Sequence, residues 1–174
     1  MNHPFLQSLF IWFDNRLVAL GMGAPPQDPQ AKQQRIEELY QTYAQHFPDV
    51  VEISVPALMQ LQQTQSVVLV DVRSPQEQAV SRLPGAITLA EFEQHRDRYC
   101  DRPIVAYCTI GYRSGLLAKD LQQQGIPVQN LRGSVLSWTH AGGHFVTPDG
   151  QPTQKVHVYG KRWNLIAADY HAIW

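Results

Sequence analysis

The chain has 174 residues, with 14 Lys or Arg against 15 Asp or Glu, which gives a formal net charge of −1 at pH 7. This length can bury the core of one ordinary domain, and the balanced charge gives no reason to expect nucleic acid or an anionic membrane as a partner. No stretch is long and apolar enough to span a bilayer, and the apolar run at residues 5–13 makes a poor signal peptide because no basic residue precedes it.

Two predicted helices open the chain. Residues 4–20 place apolar side chains on one helical face, and the glycines and prolines of residues 21–29 then interrupt the pattern. Residues 30–46 resume it, and the stripe that we expect to face inward consists of Ile36, Leu39, Tyr40 and Tyr43.

Alternating strand and helix patterns occupy the middle of the chain, which favours an α/β layer fold. A helix is predicted from Arg113 to Gln124, with Gly125 as its C-terminal stop. Its inward residues are Leu116, Leu117, Ala118 and Leu121. Strands are predicted near residues 51–54, 67–71, 86–88, 103–107 and 127–131.

The chain contains two cysteines, Cys100 and Cys108, which are too few for a disulfide framework. An extended segment between them would hold them roughly 25 Å apart, beyond the reach of a bridge. We therefore expect Cys100 to be a bystander and the protein to work in a reducing, cytoplasmic compartment.

Cys108 follows a predicted strand and opens the segment Cys-Thr-Ile-Gly-Tyr-Arg-Ser-Gly, after which a helix begins. Backbone N–H groups of such a turn can face inward at the positive end of the helix dipole and stabilise an anion. With Arg113 five positions later, this thiol has the features of a reactive nucleophile. A free cysteine is more often a small buried hydrophobe, but its place after the apolar run predicts that the Cys108 side chain has left the core.

The segment from Cys108 to Trp138 resembles the active-site half of a rhodanese domain. It has the form Cys-x-x-Gly-x-Arg-Ser, then a helix ending at Gly125, then Val-Gln-Asn-Leu-x-Gly and Trp138. Upstream, Val-Asp-Val-Arg-Ser-x-x-Glu from Val70 and the later Leu-Pro-Gly-Ala-Ile are similar to the family's other hallmark. The resemblance covers roughly residues 51–143 and implies a three-layer α/β fold: a central, mainly parallel sheet flanked by helices, with the catalytic loop at the carboxyl end of a strand.

Three positions depart from the family pattern. Thr109 stands where many members carry Arg, Gly-Ser at 133–134 replaces a double glycine, and Ser-Arg at 81–82 replaces Gly-His. The first departure removes a cation that could bind the substrate, so the preference for a sulfur donor stays open.

Loop length discriminates between the two chemistries known for this fold. Cysteine-dependent phosphatases that resemble rhodaneses use Cys-x5-Arg, whereas Cys108 and Arg113 are spaced Cys-x4-Arg. The shorter loop suits one extra sulfur better than a phosphoryl group, which favours a sulfurtransferase over a phosphatase or an arsenate reductase. A non-catalytic interaction module of the same fold is the remaining hypothesis.

A rhodanese-type sulfurtransferase works in two steps and needs no cofactor. The Cys108 thiolate would take the outer sulfur of thiosulfate, or of a small-molecule or protein persulfide, and pass it to a thiol or to cyanide. We expect Arg113 to bind the anionic donor or to neutralise the loop, while the loop N–H groups stabilise the charged sulfur. Ser114 either donates its hydroxyl to that sulfur or caps the helix. The anion-binding loop comprises Thr109, Ile110, Gly111, Tyr112 and Ser114.

Asp71, Arg73 and Glu77 lie near the end of a neighbouring predicted strand. We favour a structural role, in which Asp71 caps the following turn and Arg73 pairs with Glu77 at i,i+4. The resemblance also implies that Asp71 borders the catalytic pocket, so Asp71 and Arg73 remain secondary candidates, with proton transfer as the alternative role.

Trp138 is a third secondary candidate, because the corresponding aromatic in the family follows the strand beside the catalytic loop. It would either wall the pocket or fill the core. His140 and His144 are the only close histidine pair, and no Glu completes a zinc-binding pattern, so we expect no metal site.

The resemblance leaves both ends of the chain unexplained. We expect an N-terminal helical extension at residues 1–49, a rhodanese-like catalytic domain at 50–150 and a C-terminal helical extension at 151–174. The C-terminal extension should pack on the domain, since its tail carries two tryptophans among aliphatic residues. A homodimer through the extensions is the main alternative, and a membrane-surface helix at the N-terminus is a further one.

Overall fold

The structure is a computed structural model that describes residues 23–99 and 101–174. The apolar helix expected over residues 4–20 and the bystander Cys100 lie outside the described residues. Among the residues that are described, no helix has both the length and the apolar character needed to cross a bilayer.

Helix α1 covers Pro29–Ala44, in good agreement with the helix predicted over residues 30–46. The Asp28 side chain accepts a hydrogen bond from the Ala31 N–H, and Pro29 occupies the first helical turn, so the helix begins with both common N-terminal signals. The inward face predicted from the periodicity is largely confirmed, and its buried members are Ile36, Tyr40 and Tyr43.

A five-stranded parallel sheet forms the centre of the fold. The elements that follow α1, in chain order, are β1 (Glu52–Ile53), α2 (Val55–Thr64), β2 (Val68–Asp71), α3 (Pro75–Val80), β3 (Ile87–Thr88), α4 (Leu89–Gln94), a 3₁₀ turn (Arg96–Arg98), β4 (Ile104–Tyr107), α5 (Tyr112–Gln123), β5 (Val128–Leu131) and α6 (Ser134–His140). The strand order in the sheet is β1-β5-β4-β2-β3, and each neighbouring pair runs parallel. Helices flank the sheet, as expected for the three-layer α/β fold.

Strand β4 lies between β2 and β5 and is buried along its whole length. In the register of the sheet, Asp71 at the end of β2 is paired with Tyr107 at the end of β4. Because all five strands are parallel, their carboxyl ends meet at one edge, and the loop that starts at Cys108 leaves from the middle of that edge.

The C-terminal region consists of short strands and a 3₁₀ turn, so the expectation of a helical extension there is wrong. The physical reason is a period-2 pattern, in which Val156 and Val158 are buried while Lys155 is exposed. Three residues of the tail, Trp163, Leu165 and Ile166, belong to the hydrophobic core. The elements are β6 (Phe145–Val146), β7 (Pro152–Thr153), β8 (Lys155–His157), a 3₁₀ turn (Lys161–Trp163) and β9 (His171–Ile173).

Candidate active site

The Cys108 thiol lies directly after β4 and is only 2% exposed, so the expectation that this side chain has left the core is wrong. The sulfur is nevertheless hydrogen-bonded by its own loop. The Gly111 N–H donates to Sγ at 3.1 Å, and the Ser114 hydroxyl lies 3.5 Å from the same atom. Burial here therefore combines exclusion of water with donors aimed at the sulfur.

The pKa of the Cys108 thiol is lowered, although burial acts in the opposite direction. Burial alone would raise this pKa, but the positive charge of Arg113 and hydrogen bonds from Ser114 and Gly111 outweigh it. The thiolate is the nucleophilic form of cysteine, so the loop favours the reactive state.

The first turn of α6 anchors the Cys108 loop through backbone hydrogen bonds. The N–H groups of Val135 and Leu136 donate to the carbonyls of Cys108 and Thr109 at 3.3 and 3.2 Å. In a trans peptide the C=O and N–H point in opposite directions, so this anchoring turns the following loop N–H groups away from α6. Ser134 adds a further link, since its hydroxyl accepts from the Cys108 N–H at 3.1 Å.

Ser134 occupies the second position of the family's double glycine and has a φ of 46°. A non-glycine residue in this left-handed region is uncommon and indicates a structural constraint. Its hydroxyl bridges Cys108 and the Leu131 carbonyl, the latter at 3.0 Å. The departure from the family pattern therefore supplies a hydrogen bond to the backbone of Cys108.

Gly111 and Asn130 shape the opposite side of the loop. Gly111 has a φ of 103°, and a Cβ at this position would lie 2.6 Å from a ring carbon of Tyr40. The Asn130 amide donates to the Gly111 carbonyl at 2.9 Å and accepts from the Ser114 hydroxyl at 2.7 Å. Gly111 is also the N-cap of α5, so the alternative in which Ser114 caps this helix is wrong.

Arg113, Glu77 and Thr109 form a closed set of hydrogen bonds, which we call the Glu77–Arg113–Thr109 ring. Nη1 and Nη2 of Arg113 donate to the two carboxylate oxygens of Glu77 at 2.8 and 2.7 Å. The Thr109 hydroxyl accepts from Nη2 and donates to Glu77, both at 3.1 Å. The loop cation is therefore fixed in place by a carboxylate from α3.

Glu77 is only 3% exposed, and the ring determines its charge. Burial raises the pKa of this carboxyl, but hydrogen bonds from Arg113, the Arg113 charge and the Ser74 N–H lower it to about 2. Ser74 and Glu77 also form a capping box at the start of α3. Glu77 thus connects the start of α3 to the loop that begins at Cys108.

The predicted i,i+4 pair of Arg73 with Glu77 is wrong. Arg73 pairs instead with Asp71, to which its Nε and Nη2 donate at 2.9 and 2.7 Å. The reason is that α3 begins only at Pro75, so Arg73 and Glu77 do not lie on one helix. The turn-capping role of Asp71 is confirmed, because its carboxylate accepts from the Arg73 N–H at 3.0 Å.

Asp71 and Arg73 are buried rather than presented to a substrate. Both side chains are 0% exposed. The Tyr107 hydroxyl donates to Asp71 at 2.8 Å and accepts from the Leu83 N–H at 3.2 Å. This burial and the hydrogen bonds to Asp71 favour the structural role over proton transfer.

Trp138 lies in the hydrophobic core and is 5% exposed, with its indole N–H donating to the His144 carbonyl at 3.0 Å. This position favours core filling over a wall of the pocket. His140 Nε2 contacts the Leu165 carbonyl at 2.7 Å. Within residues 23–99 and 101–174 no group of three or more His, Cys, Asp or Glu side chains could hold a metal ion.

Side chains from the C-terminal region and from α1 lie near the Cys108 loop. The centroid of the Tyr159 ring lies 5.9 Å from Cζ of Arg113. The backbone of Tyr159 has a positive φ of 74°. On the other side, burial raises the pKa of Tyr43 to about 12, with contributions from the charges of Tyr112 and Cys108. Regions outside the recognised motifs thus contribute to the surroundings of the thiol.

Of the predicted loop, Thr109 and Ile110 are each 4% exposed, Ser114 is fully buried and Tyr112 is half-buried. Ser134, Asn130 and Tyr159 were not among the site residues predicted from the sequence. The Gly-Ser departure at 133–134 was the available signal for Ser134, and the Val-Gln-Asn-Leu-x-Gly motif contains Asn130, whereas nothing in the sequence pattern pointed to Tyr159.

The family model of the rhodanese-like domain matches residues 54–141. The chain therefore belongs to the rhodanese-like domain family. A protein named sulfurtransferase from Allochromatium vinosum is 38% identical over 106 residues, which are 58% of this chain and 99% of that protein. A putative sulfurtransferase from Bacillus subtilis is 29% identical over 96 residues, covering 52% of this chain and 91% of the relative.

Among solved structures, the thiosulfate sulfurtransferase from Pseudomonas aeruginosa aligns with a TM-score of 0.53 and 20% identity. The alignment covers 67% of this chain and 23% of that protein. At this identity the likeness establishes the α/β fold.

Proposed function

We propose that this protein is a sulfurtransferase that moves a sulfane sulfur from thiosulfate or a persulfide donor to a thiol or to cyanide through a persulfide on Cys108. The observation that carries the proposal is a buried thiol whose pKa is lowered by Arg113 and by loop hydrogen bonds. The names of two relatives agree with this chemistry.

In the first step the Cys108 thiolate attacks the outer sulfur of the donor. With thiosulfate, the new Sγ–S bond forms as the donor S–S bond breaks, and sulfite leaves with the electron pair. The Gly111 N–H, 3.1 Å from Sγ, and the Ser114 N–H lie where they can stabilise negative charge on the sulfurs. Arg113 acts as a fixed positive charge beside the thiolate.

In the second step an acceptor thiolate or cyanide attacks the outer sulfur of the Cys108 persulfide. The Sγ–S bond breaks, and the Cys108 thiolate is regenerated with its electron pair. Both steps are exchanges at sulfur, so neither needs a cofactor or an external oxidant. A free thiol that must be regenerated in each turnover suits a reducing compartment such as the cytoplasm.

The ring also argues against the phosphatase alternative. A phosphatase would need Arg113 to bind the oxygens of a phosphoryl group through its paired N–H donors. In this protein Glu77 accepts from both terminal nitrogens of that guanidinium. The transfer of a single sulfur does not require the paired N–H donors of Arg113.

Mass spectrometry of the intact protein and of its Cys108 peptide tests the proposal. After incubation with thiosulfate or with cysteine persulfide, we expect one added sulfur on Cys108 that is lost on reduction or on addition of cyanide. Cys108→Ser should carry no transferable sulfur, whereas Cys100→Ser should behave like the wild type. A folded wild-type protein that stays unmodified with both donors contradicts the proposal.

A further inference from the structure

The Glu77–Arg113–Thr109 ring uses the donors with which Arg113 would otherwise bind a small oxyanion. A guanidinium presents two forks of parallel N–H groups, and both forks include Nη2. Glu77 takes the fork formed by Nη1 and Nη2. The Thr109 hydroxyl accepts from the same Nη2, so no complete fork remains for a ligand.

The same guanidinium lies over the ring of Tyr159. The distance from Cζ to the ring centroid is 5.9 Å, within the range of a cation–π contact. Arg113 keeps 31% of its side chain exposed, but its N–H groups contact Glu77 and Thr109 and its guanidinium contacts Tyr159. The cation is therefore built to act on the Cys108 sulfur rather than to clamp a sulfonate group.

Among the described residues, the two ion pairs beside the loop leave no surplus positive charge for a dianion. Glu77 balances Arg113, and Asp71 balances Arg73, so the thiolate itself is the uncompensated charge. The nearby His157 does not alter this balance, because burial lowers its pKa and leaves it neutral at neutral pH. Thiosulfate would bring two further negative charges to this site.

We propose that the donor is an organic persulfide, R–S–SH, and that thiosulfate is a poor donor; this inference rests on the sulfurtransferase function proposed above. A persulfide adds at most one negative charge and has no sulfonate that needs an arginine fork. Its organic group can contact the ring of Tyr159, which is 42% exposed beside Arg113.

The transfer balances without any further reactant. The Cys108 thiolate attacks the terminal sulfur of R–S–SH, and the Sγ–S bond forms as the donor S–S bond breaks. The thiolate R–S⁻ leaves with the electron pair, while the proton stays on the transferred sulfur. One thiolate and one persulfide therefore enter and leave the step, with no net oxidation or reduction.

The test compares the initial rates at which thiosulfate and cysteine persulfide load sulfur onto Cys108 of the full chain at neutral pH. Mass spectrometry of the Cys108 peptide separates this signal from Cys100. Each rate is divided by the rate of the same donor with a cysteine-containing reference peptide, which removes the intrinsic reactivity of the donor. After this correction we expect the persulfide to be preferred by at least about tenfold.

Two substitutions at one position probe the ring directly. Thr109→Val removes the hydroxyl at nearly constant shape and frees an N–H of Nη2, so thiosulfate loading should rise by about tenfold relative to persulfide loading. Thr109→Ser keeps the hydroxyl, so it should keep the donor preference of the wild type.

The outcomes separate the two proposals. Efficient loading from thiosulfate, at a corrected rate equal to or above that of the persulfide, overturns the donor inference and leaves the sulfurtransferase function standing. An unchanged preference in a folded Thr109→Val protein also overturns it. Loading from neither donor means that the sulfurtransferase proposal fails, and the donor inference fails with it.

Discussion

The carboxylate of Glu77 accepts two hydrogen bonds from the guanidinium of Arg113 and thereby joins two motifs that lie 36 positions apart in the chain. One residue belongs to the capping box of α3, and the other to the loop that carries the nucleophile. The same contact fixes the cation whose charge lowers the pKa of Cys108. Structural stability and thiol reactivity therefore depend on one pair of side chains.

The pairing of Glu77 with Arg113 predicts how the free energy of unfolding changes in acid. The pKa of Glu77 is lowered from 4.5 to about 2, so its contribution to stability is fully present above about pH 4.5 and is lost as the pH falls toward 2. The full contribution is about 3 kcal/mol, of which about 2 kcal/mol should be lost between about pH 6 and about pH 3. Urea unfolding across this range should show a smaller loss for Glu77→Gln than for the wild type.

The exposed carboxylate of Glu38 provides the control for this titration. Glu38→Gln removes one negative charge from α1 without touching the ring and should lose stability in acid as the wild type does. Parallel pH profiles for Glu77→Gln and the wild type would contradict the role assigned to Glu77.

Removal of the loop cation should make the thiol less acidic. In Arg113→Gln the positive charge beside Cys108 is lost, so the pKa of the thiol rises and the thiolate fraction at neutral pH falls. We expect iodoacetamide to label Cys108 about tenfold more slowly at neutral pH, with the midpoint of the labelling profile moved to higher pH. Peptide mass spectrometry gives the rate at each pH.

Two further variants serve as controls for the labelling of Arg113→Gln. Arg113→Lys keeps the charge and should recover much of the reactivity, whereas Arg132→Gln removes an arginine that pairs with Glu37 and Glu52 and should label like the wild type. If all three variants gave the wild-type profile, the electrostatic role of Arg113 would be refuted.

Gly111 should tolerate no side chain, because its φ is 103° and a Cβ would lie 2.6 Å from the Tyr40 ring. Gly111→Ala is expected to cost about 3 kcal/mol of unfolding free energy and to slow sulfur loading, since its N–H is displaced from Sγ. Gly142→Ala is the matched control, because φ is also positive, at 70°, but no atom lies within 4 Å of the added Cβ. It should cost only about 1 kcal/mol and leave loading intact.

The C-terminal region should contribute to the stability of the domain, because Leu165 is fully buried in the common core. Leu165→Ala should lower the free energy of unfolding by about 2–5 kcal/mol. Trp174→Ala removes a larger side chain that is 58% exposed, so it should change stability by less than about 0.5 kcal/mol. Equal effects of both substitutions in urea unfolding would show that the tail does not share the core.

The periodicity of the sequence located helices α1 and α5 and the five strands of the central sheet to within two residues. The predicted helix 113–124 is observed as Tyr112–Gln123, and the buried run before Cys108 is the strand Ile104–Tyr107. Such features depend on local patterns of apolar residues and on glycines with positive φ, such as Gly125 at 81°. The C-terminal strands were missed because a few aromatic and aliphatic residues do not distinguish a helix from short strands.

The partner of each site residue was harder to predict, because contacts between distant residues are set by the sheet. Sequence spacing suggested Glu77 for Arg73, but only the parallel register of β2 beside β4 brings Glu77 to Arg113 and Asp71 to Tyr107. The burial of Cys108 likewise depends on the packing around its loop, which the end of an apolar run cannot reveal.

The sequence by itself determined the family, the alternation of strands and helices in the rhodanese-like region, and the cysteine loop with its arginine, because local periodicity and short motifs encode them. The tertiary structure alone decided how the arginine is used. Glu77 accepts from both terminal nitrogens of the guanidinium, Thr109 accepts from one of them, and Ser134 and Asn130 hold the loop around the sulfur. The physical reason is that the bonds to Glu77, Ser134 and Asn130 join separate elements, and only the packed sheet and helices bring their atoms within reach of one another.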